Sequence, residues 1–369
     1  MRPIPFVTNR PPMTGGFGPP PPCGMPETLS FGTLATLPSA DPARPGRLAS
    51  SLALAGAVDC STAGTDAALV GYLTRVLTSA VQAGQTPIIV VHGFSYAFSE
   101  AIIRTADLCA WFEAGDTPLA LAPISFTWPS VNGLSPDNYL ADRTRATASA
   151  NAYSRFMLAF AAARAATGSP GCLYLAHSMG TWVTQNGCRA LAAGRGSTLP
   201  ADLFDQALVM GGDADTDALE PGQGLDQLAR LSTWLTVGVN RTDFATGVTS
   251  ADILKRPRLG SSGAASPARI PANVRIVDYT IAITADQTPT PPGETTWNYK
   301  LHQYYRTNPA IRDDIAAVMS DTAPDDIDSR LTAAQMRRAG QSSILANRLY
   351  LRPGPVASPT DIDNPERRG

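Results

Sequence analysis

The sequence has few charged residues and few histidines, and both shortages limit what the protein can do. Only 16% of its 369 residues are charged, compared with about 25% in typical globular domains. The formal net charge is −2, and no run of lysine and arginine alternates with aromatic residues. We therefore expect no nucleic-acid partner. A hydrophobic content of 44% fits a globular protein with a sizeable core.

Long apolar runs are also missing. No stretch of about 18 apolar residues occurs, so we expect no transmembrane segment. The segment from Met1 to Gly18 is interrupted by prolines and lacks the unbroken apolar core and the cleavage site of a secretory signal. This predicts a cytoplasmic location.

The five cysteines are scattered and include no C-x-x-C pair. This spacing favours small buried thiols in a reducing compartment over disulfides or metal ligands. Three histidines offer little for a zinc site. We predict no metal and no other cofactor.

Proline and glycine are concentrated in residues 1–60, which predicts an irregular N-terminal extension packed on the main domain. Within it we expect edge strands at Phe6–Asn9 and Leu29–Leu37. Over 61–325, helix-patterned and strand-patterned segments alternate, which predicts an α/β domain whose mainly parallel sheet is flanked by helices. Over 326–369 we expect one helix and then a disordered tail.

The alternation divides this central region into elements. Strands are expected to be continuous apolar runs because a parallel sheet is buried on both faces. We predict helices at 66–84, 99–115, 143–168 and 181–194, and strands at 87–93, 121–129, 172–178, 202–212, 231–240 and 273–282.

The segment "CLYLAHSMGTW" (172–182) places Ser178 between a strand and a helix. In α/β hydrolases the nucleophilic serine occupies such a turn, with small residues two positions before and after it. Here these are Ala176 and Gly180. Since Ala176 departs from the G-x-S-x-G pattern, a serine that only caps the following helix is the alternative.

A nucleophilic serine needs an imidazole base. His92 ends a strand beside Gly93, and His177 directly precedes the serine, where adjacent side chains point away from each other. His302 follows the last predicted strand, which agrees with the order Ser, acid, His known for this fold. We predict His302 as the base, the alternative being a core or interface histidine.

Two aspartates follow neighbouring predicted strands and could orient the imidazole. Asp213 lies in "VMGGDADTD" and Asp243 in "TVGVNRTD". We prefer Asp243, because the strand beside the one that leads to the histidine is the usual source of the acid. Asp213 remains the alternative acid, although aspartate-rich segments are more often solvated loops.

An oxyanion hole is expected from the backbone N–H groups of Met179 and Phe94. Phe94 belongs to the loop after the strand at 87–93. On the same loop, Ser95 and Tyr96 are candidate substrate contacts.

Further candidates for the substrate pocket are His177, Trp297 and Tyr299. Two irregular segments, 253–271 and 284–299, are expected to shape the pocket, the alternative being inert surface loops.

Taken together, several segments resemble one family, the bacterial α/β-hydrolase family of unknown function labelled DUF900. The similarity extends from about Phe6 to Met319. It rests most clearly on "VVHGFSYAFSEAIIRTADL" (90–108), "ISFTWPS" (124–130), "LYLAHSMG" (173–180), "GGDADTDALE" (211–220) and "LHQYYRTNPAI" (301–311).

This resemblance implies an α/β-hydrolase fold with Ser178 as nucleophile, Asp243 as acid and His302 as base. The residues around Asp243 differ from the small or polar residues that the family usually has there. "MGGDADTD" also has two glycines where Ala-Pro is more usual. The first departure keeps Asp213 as the alternative.

We therefore predict a serine hydrolase of esterase or lipase type that cleaves a small-molecule or acyl-ester substrate through an acyl-enzyme intermediate. The alternatives are an amidase, thioesterase or lactonase of the same fold. A catalytically silent scaffold that binds a ligand or partner in the same cleft is a further alternative.

Overall fold

The computed structural model describes residues 1–19, 28–41, 44–59, 66–131, 133–169, 171–194, 199–339 and 348–351. In chain order, the strands are β1 (Arg2–Thr8), β2 (Pro12–Met13), β3 (Gly16–Phe17), β4 (Thr28–Leu37), β5 (Arg47–Leu48), β6 (Ala53–Asp59), β7 (Thr86–Val91), β8 (Leu121–Thr127), β9 (Leu173–His177), β10 (Phe204–Met210), β11 (Ser232–Val239), β12 (Val274–Asp278), β13 (Arg330–Thr332) and β14 (Leu349–Leu351). The helices are α1 (Ala67–Gln82), α2 (Phe98–Glu113), α3 (Pro136–Ala148), α4 (Ala150–Thr167), α5 (Gly180–Ala193), α6 (Leu225–Arg230), α7 (Ala251–Leu254), α8 (Leu259–Ser262), α9 (Thr280–Ala285), α10 (Pro309–Met319) and α11 (Ala333–Arg338).

Twelve of the described strands form one sheet in the order β13-β14-β12-β11-β10-β9-β7-β8-β1-β4-β5, with β6 also paired to β4. All pairs from β14 to β1 are parallel, whereas β13 and β4 pair antiparallel at the two sides. The predicted α/β fold with a mainly parallel sheet is therefore confirmed. In the sheet, β8 lies on one side of β7, and β9, the next strand along the chain, lies on the other side. Such a switch point opens a crevice at the carboxyl ends of the strands.

The continuous apolar runs reflect burial of both sheet faces. In β7, Ile89 and Val91 belong to a core with helices α1, α4 and α5, whereas Ile88 and Val90 belong to a core with α2 and α10. Successive side chains of a strand point to opposite faces, so a strand covered on both sides is apolar at most of its positions. This pattern made the central strands predictable.

The N-terminal strands differ from the prediction of edge strands. β1 lies between β4 and β8, and β4 lies between β1 and the strands β5 and β6. Ile4, Phe6 and Val7 in β1 are fully buried. Pairing of β1 with β8 begins only at Phe6, after the prolines at positions 3 and 5, which lack the N–H group that a ladder needs. The extension is thus irregular in its loops but continues the central sheet.

Two predicted elements have different boundaries. The single helix expected at 143–168 is two helices, α3 and α4, which meet at Ser149. Its hydroxyl donates to the carbonyl of Arg145 at 2.9 Å and accepts from Asn9 at 2.9 Å. The strand expected at 273–282 ends at Asp278, because the Asp278 carboxylate accepts the backbone N–H of Thr280 and α9 begins there.

The C-terminal region also differs from the prediction. Where a helix and a disordered tail were expected, β13 and β14 flank the helix α11, and β14 pairs parallel with β12. The end of the predicted tail, 352–369, lies outside the described residues. Within the described residues, no helix combines the length and the apolar character that a membrane crossing requires.

Candidate active site

Ser178 lies at the tight turn between β9 and α5, with a backbone φ of 52°. This left-handed conformation is uncommon for residues other than glycine and is often found at functional sites. A Cβ at Gly180 would lie 2.5 Å from the carbonyl oxygens of Val91 and His92, and a Cβ at Gly93 would lie 2.9 Å from the Cβ of Ser178. Both glycines are therefore needed for the turn to pack against β7.

His302 and Asp243 come together from two separate segments. The ring Nδ1–H of His302 donates to Asp243 Oδ2 at 2.8 Å, and both side chains are almost fully buried. The other carboxylate oxygen accepts the backbone N–H groups of Ala245 and Thr246 at 2.9 and 3.3 Å. This arrangement fixes the imidazole with its Nε2 atom available for a second partner.

Asn240 connects the two segments. It follows β11, and its Nδ2 group donates to the carbonyl of Leu301 at 2.7 Å. Its Oδ1 accepts the N–H and the hydroxyl of Thr242 at 3.0 and 2.8 Å. The acid loop and the histidine segment are thereby held next to each other.

Ser178 and His302 line the same cavity, whose volume is about 560 Å³. Among the described residues, the ring of His302 is hydrogen-bonded to Asp243 and not to Ser178. In enzymes without substrate, the bond between base and nucleophile is often long and tightens only in the complex. The arrangement is compatible with proton transfer between the two groups once the cavity is filled.

The two predicted oxyanion donors lie at the carboxyl ends of β9 and β7, and Phe94 lines the cavity. In the described part of the chain, neither the N–H of Met179 nor that of Phe94 donates to another protein group. The loop of Phe94 is anchored by Arg10, which donates to the carbonyls of Tyr96 and Ser130 at 2.7 and 2.9 Å. The loop that carries Phe94 is thus held in place at the edge of the cavity.

The other two histidines have structural environments. His92 stacks on Trp128 with ring centroids 5.3 Å apart, and burial lowers the pKa of His92 to about 3. His177 lies beside the base, with its ring centroid 4.7 Å from that of His302, and its Nε2–H donates to the His302 carbonyl at 3.3 Å. Burial holds the pKa of His177 well below its ordinary value. Both rings are therefore neutral near pH 7.

Asp213, the alternative acid, is engaged by other groups. Its carboxylate accepts hydrogen bonds from Tyr139, Ser250 and Arg258 at 2.7, 2.6 and 2.8 Å. Burial raises the pKa of Tyr139, which therefore remains a hydrogen-bond donor. The structure thus places Asp243, and not Asp213, against the ring of His302.

Comparison with known families supports this description of the fold. A family model described as an alpha/beta hydrolase of unknown function (DUF900) matches residues 73–290. The chain belongs to this family. Comparisons with curated proteins and with solved structures find no match. The DUF900 match includes Ser178 and Asp243, whereas His302 lies beyond the matched residues.

Most of the predicted pocket residues line the cavity of this DUF900 protein. Ser95, Tyr96, His177 and Trp297 do so, whereas Tyr299 is buried and is not part of the lining. The two irregular segments contribute little, since only Ile253 comes from 253–271 and only 297–298 come from 284–299.

Four parts of the lining were not predicted from the sequence. Glu100 and Arg104 extend from α2, and Gln303 and Arg306 follow the candidate base. The spacing of 100 and 104 places both on one face of a helix, but the pattern gives no sign that this face borders a cavity. The other parts are the segment 133–136 and the π-helical region around 245–250.

Proposed function

We propose that this DUF900 protein hydrolyses carboxylic esters, with Ser178 as nucleophile, His302 as general base and Asp243 as the acid that orients it. One observation carries the proposal: the cavity that exposes the strained Ser178 is also lined by His302, whose ring donates to a buried Asp243 at 2.8 Å. This is the constellation needed to activate a serine hydroxyl.

In the proposed reaction, His302 Nε2 takes the proton of Ser178 as Oγ attacks the ester carbonyl. The N–H groups of Met179 and Phe94 bind the resulting oxyanion. Collapse of this intermediate breaks the bond to the alcohol, which leaves with the proton from His302, and forms the acyl-enzyme. Water, deprotonated by His302, then releases the carboxylic acid and restores Ser178.

Esters are the preferred substrates because an alcohol is a better leaving group than an amine. Thioesters, lactones and amides use the same chemistry and belong in the same assay. In Ser178→Ala, we expect the rate to fall by about 10³- to 10⁶-fold, with a remainder from the oxyanion donors and the pocket.

The test is a panel of chromogenic esters, thioesters and anilides, assayed with the wild type and Ser178→Ala in parallel. Ser79→Ala on the exposed face of α1 is the matched control and should behave like the wild type. A fluorophosphonate probe should label the wild type and the control, but neither Ser178→Ala nor His302→Ala. Full activity and labelling in Ser178→Ala would refute the nucleophile. No turnover and no labelling of the folded wild type would favour a silent binding scaffold.

A further inference from the structure

The cavity beside Ser178 has a polar wall built from two segments. Glu100 and Arg104 lie one helical turn apart on α2, and Gln303 and Arg306 follow His302. The Nε–H of Arg306 donates to Gln303 Oε1 at 2.7 Å, and Gln303 in turn donates to the hydroxyl of Tyr96 at 3.3 Å. Burial raises the pKa of Glu100, while the charges of Arg104 and Arg306 act on the same carboxyl in the opposite direction. The charged groups of both segments are therefore close to one another.

This polar wall, defined by Glu100, Arg104, Gln303 and Arg306, presents more positive than negative charge to the cavity. The wall contains two guanidinium groups and one carboxylate. Asp213 also lines the cavity, outside the wall, and its charge is compensated by the buried Arg258, whose Nε–H donates to its carboxylate at 2.8 Å. Asp107 lies 3.9 Å from Arg104, but it does not line the cavity, and its oxygens accept the backbone N–H groups of Ser39 and Gly46.

Arg306 is only 5% exposed, so its charge acts in a poorly hydrated environment. Electrostatic interactions are stronger there than in water. A guanidinium has five N–H donors in a planar fork that matches a carboxylate. The bond from its Nε–H to Gln303 Oε1 fixes the side chain in the wall.

The remaining lining is partly apolar. Phe94, Phe244, Ile253 and Trp297 contribute to the same cavity, and Phe94 packs edge-on against Tyr139 at 5.7 Å. A ligand that fills the cavity therefore meets aromatic and aliphatic surface as well as the polar wall.

We propose that the polar wall binds a carboxylate of the substrate, so that the preferred substrates are esters carrying a free carboxylate at the end of an apolar chain. The cleavage itself rests on the proposed function, whereas carboxylate binding does not. The arginine side chains supply charge-assisted hydrogen bonds, and the apolar surface covers the chain between the carboxylate and the ester.

A pair of esters isolates the contribution of the substrate carboxylate to binding. 4-Nitrophenyl hexanoate and mono(4-nitrophenyl) adipate have the same number of chain carbons and differ in whether the chain ends in a methyl or a carboxylate group. We expect the wild type to show a KM for the adipate ester about 10- to 100-fold lower, the range for hydrogen bonds to charged groups. Arg306→Gln should remove this preference, so that the ratio of the two KM values approaches 1.

Two further variants control the experiment. Glu100→Gln removes the competing negative charge and should lower the KM for the adipate ester, which is a gain that misfolding does not produce. Arg155→Gln removes an arginine on α4 that pairs with Asp66 and does not line the cavity. It should leave both KM values unchanged.

Binding of monomethyl adipate to Ser178→Ala, measured by calorimetry, separates this inference from the proposed function. Binding that is lost on adding Arg306→Gln supports the polar wall even if the wild type cleaves no ester. Cleavage of both esters with equal KM values, unaffected by Arg306→Gln and Glu100→Gln, would overturn the inference and leave the esterase intact. Undetectable binding of monomethyl adipate would also overturn it.

Discussion

Asp213 and Asp243 follow neighbouring strands, β10 and β11, and both are almost fully buried, but they have different partners. Asp243 accepts from an imidazole and from two backbone N–H groups. Asp213 accepts from Tyr139, Ser250 and Arg258. The partner of Asp243 is thus an imidazole, the side chain that most often acts as a general base, whereas the partners of Asp213 are hydroxyl and guanidinium groups.

The comparison shows that two buried carboxylates at similar positions after neighbouring strands can have different roles, depending on the groups that contact them. Arg258 is fully buried and pairs with Asp213 and Asp215, so this group connects the loop after β10 to the segment before α8. Arg143 adds a hydrogen bond from α3 to the Asp213 carbonyl at 3.2 Å. We infer that Asp213 is structural and that Asp243 orients the base.

The largest expected effect is a loss of activity when the carboxylate of Asp243 is replaced. Asp243→Asn should lower kcat by about 10⁴-fold, because an amide no longer selects the imidazole tautomer with its proton on Nδ1. The free energy of unfolding should change much less. Steady-state kinetics with 4-nitrophenyl hexanoate and urea unfolding measure the two quantities. Equal kcat values for the wild type and Asp243→Asn would remove Asp243 from the proposed triad.

Asp213→Asn should show the opposite pattern. It leaves the buried Arg258 without its closest fully buried partner, which should lower the free energy of unfolding by about 3 kcal/mol. At a temperature where the variant is folded, kcat should stay within about tenfold of the wild type. A loss of activity as large as in Asp243→Asn, with unchanged stability, would exchange the roles of the two aspartates.

The next variant, with a smaller expected effect, tests the contact of Gly260 with the loops that follow β10 and β11. The N–H of Gly260 donates to the Gly212 carbonyl, and its carbonyl accepts the N–H of Asn240, at 2.8 and 2.9 Å. A Cβ at position 260 would lie 2.3 Å from the backbone of Gly211. Gly260→Ala should therefore cost about 1–3 kcal/mol of stability and also reduce kcat. Gly71→Ala on α1, where the nearest atom is 3.8 Å away, is the control and should not destabilise.

The smallest effect is expected from pH. Burial lowers the pKa of His92 to about 3 and holds the pKa of His177 well below its ordinary value. Both rings are therefore neutral between about pH 5 and 8, and neither should contribute to the pH profile of kcat/KM over this range.

The Asp213–Arg258 pair should behave differently. Burial lowers the pKa of Arg258, but the charges of Asp213 and Asp215 outweigh it and leave this pKa raised. The difference in unfolding free energy between the wild type and Asp213→Asn should therefore stay constant between about pH 6 and 9. A difference that changes with pH in parallel with kcat/KM would contradict the separation of the two pairs.

The sequence was sufficient for features that depend on local pattern. The apolar runs predicted β7 to β11, and the small residue at 180 predicted the turn at Ser178, because backbone contact with Val91 and His92 leaves no room for a side chain. The order of strands was also enough to favour Asp243 and His302 as partners.

Features that depend on distant contacts were not predictable. Nothing near position 258 indicates that Arg258 pairs with Asp213, 45 residues away. The break at Ser149 depends on Asn9, 140 residues away. Likewise, the face of α2 that carries Arg104 borders the cavity only because residues 303–306 pack nearby. Such contacts are decided by tertiary packing and leave no periodic signal.

The position of β1 in the sheet has a consequence for the order of folding. β1 and β4 form an antiparallel pair that is close in sequence, whereas the partner on the other side, β8, is much further along the chain, with Thr8 bonding to Thr127 across 119 residues. Closing so long a loop is slow compared with forming a local ribbon. During synthesis, the β1–β4 ribbon can therefore form long before β8 emerges, and until then the β8 side of β1 presents unpaired backbone N–H and C=O groups.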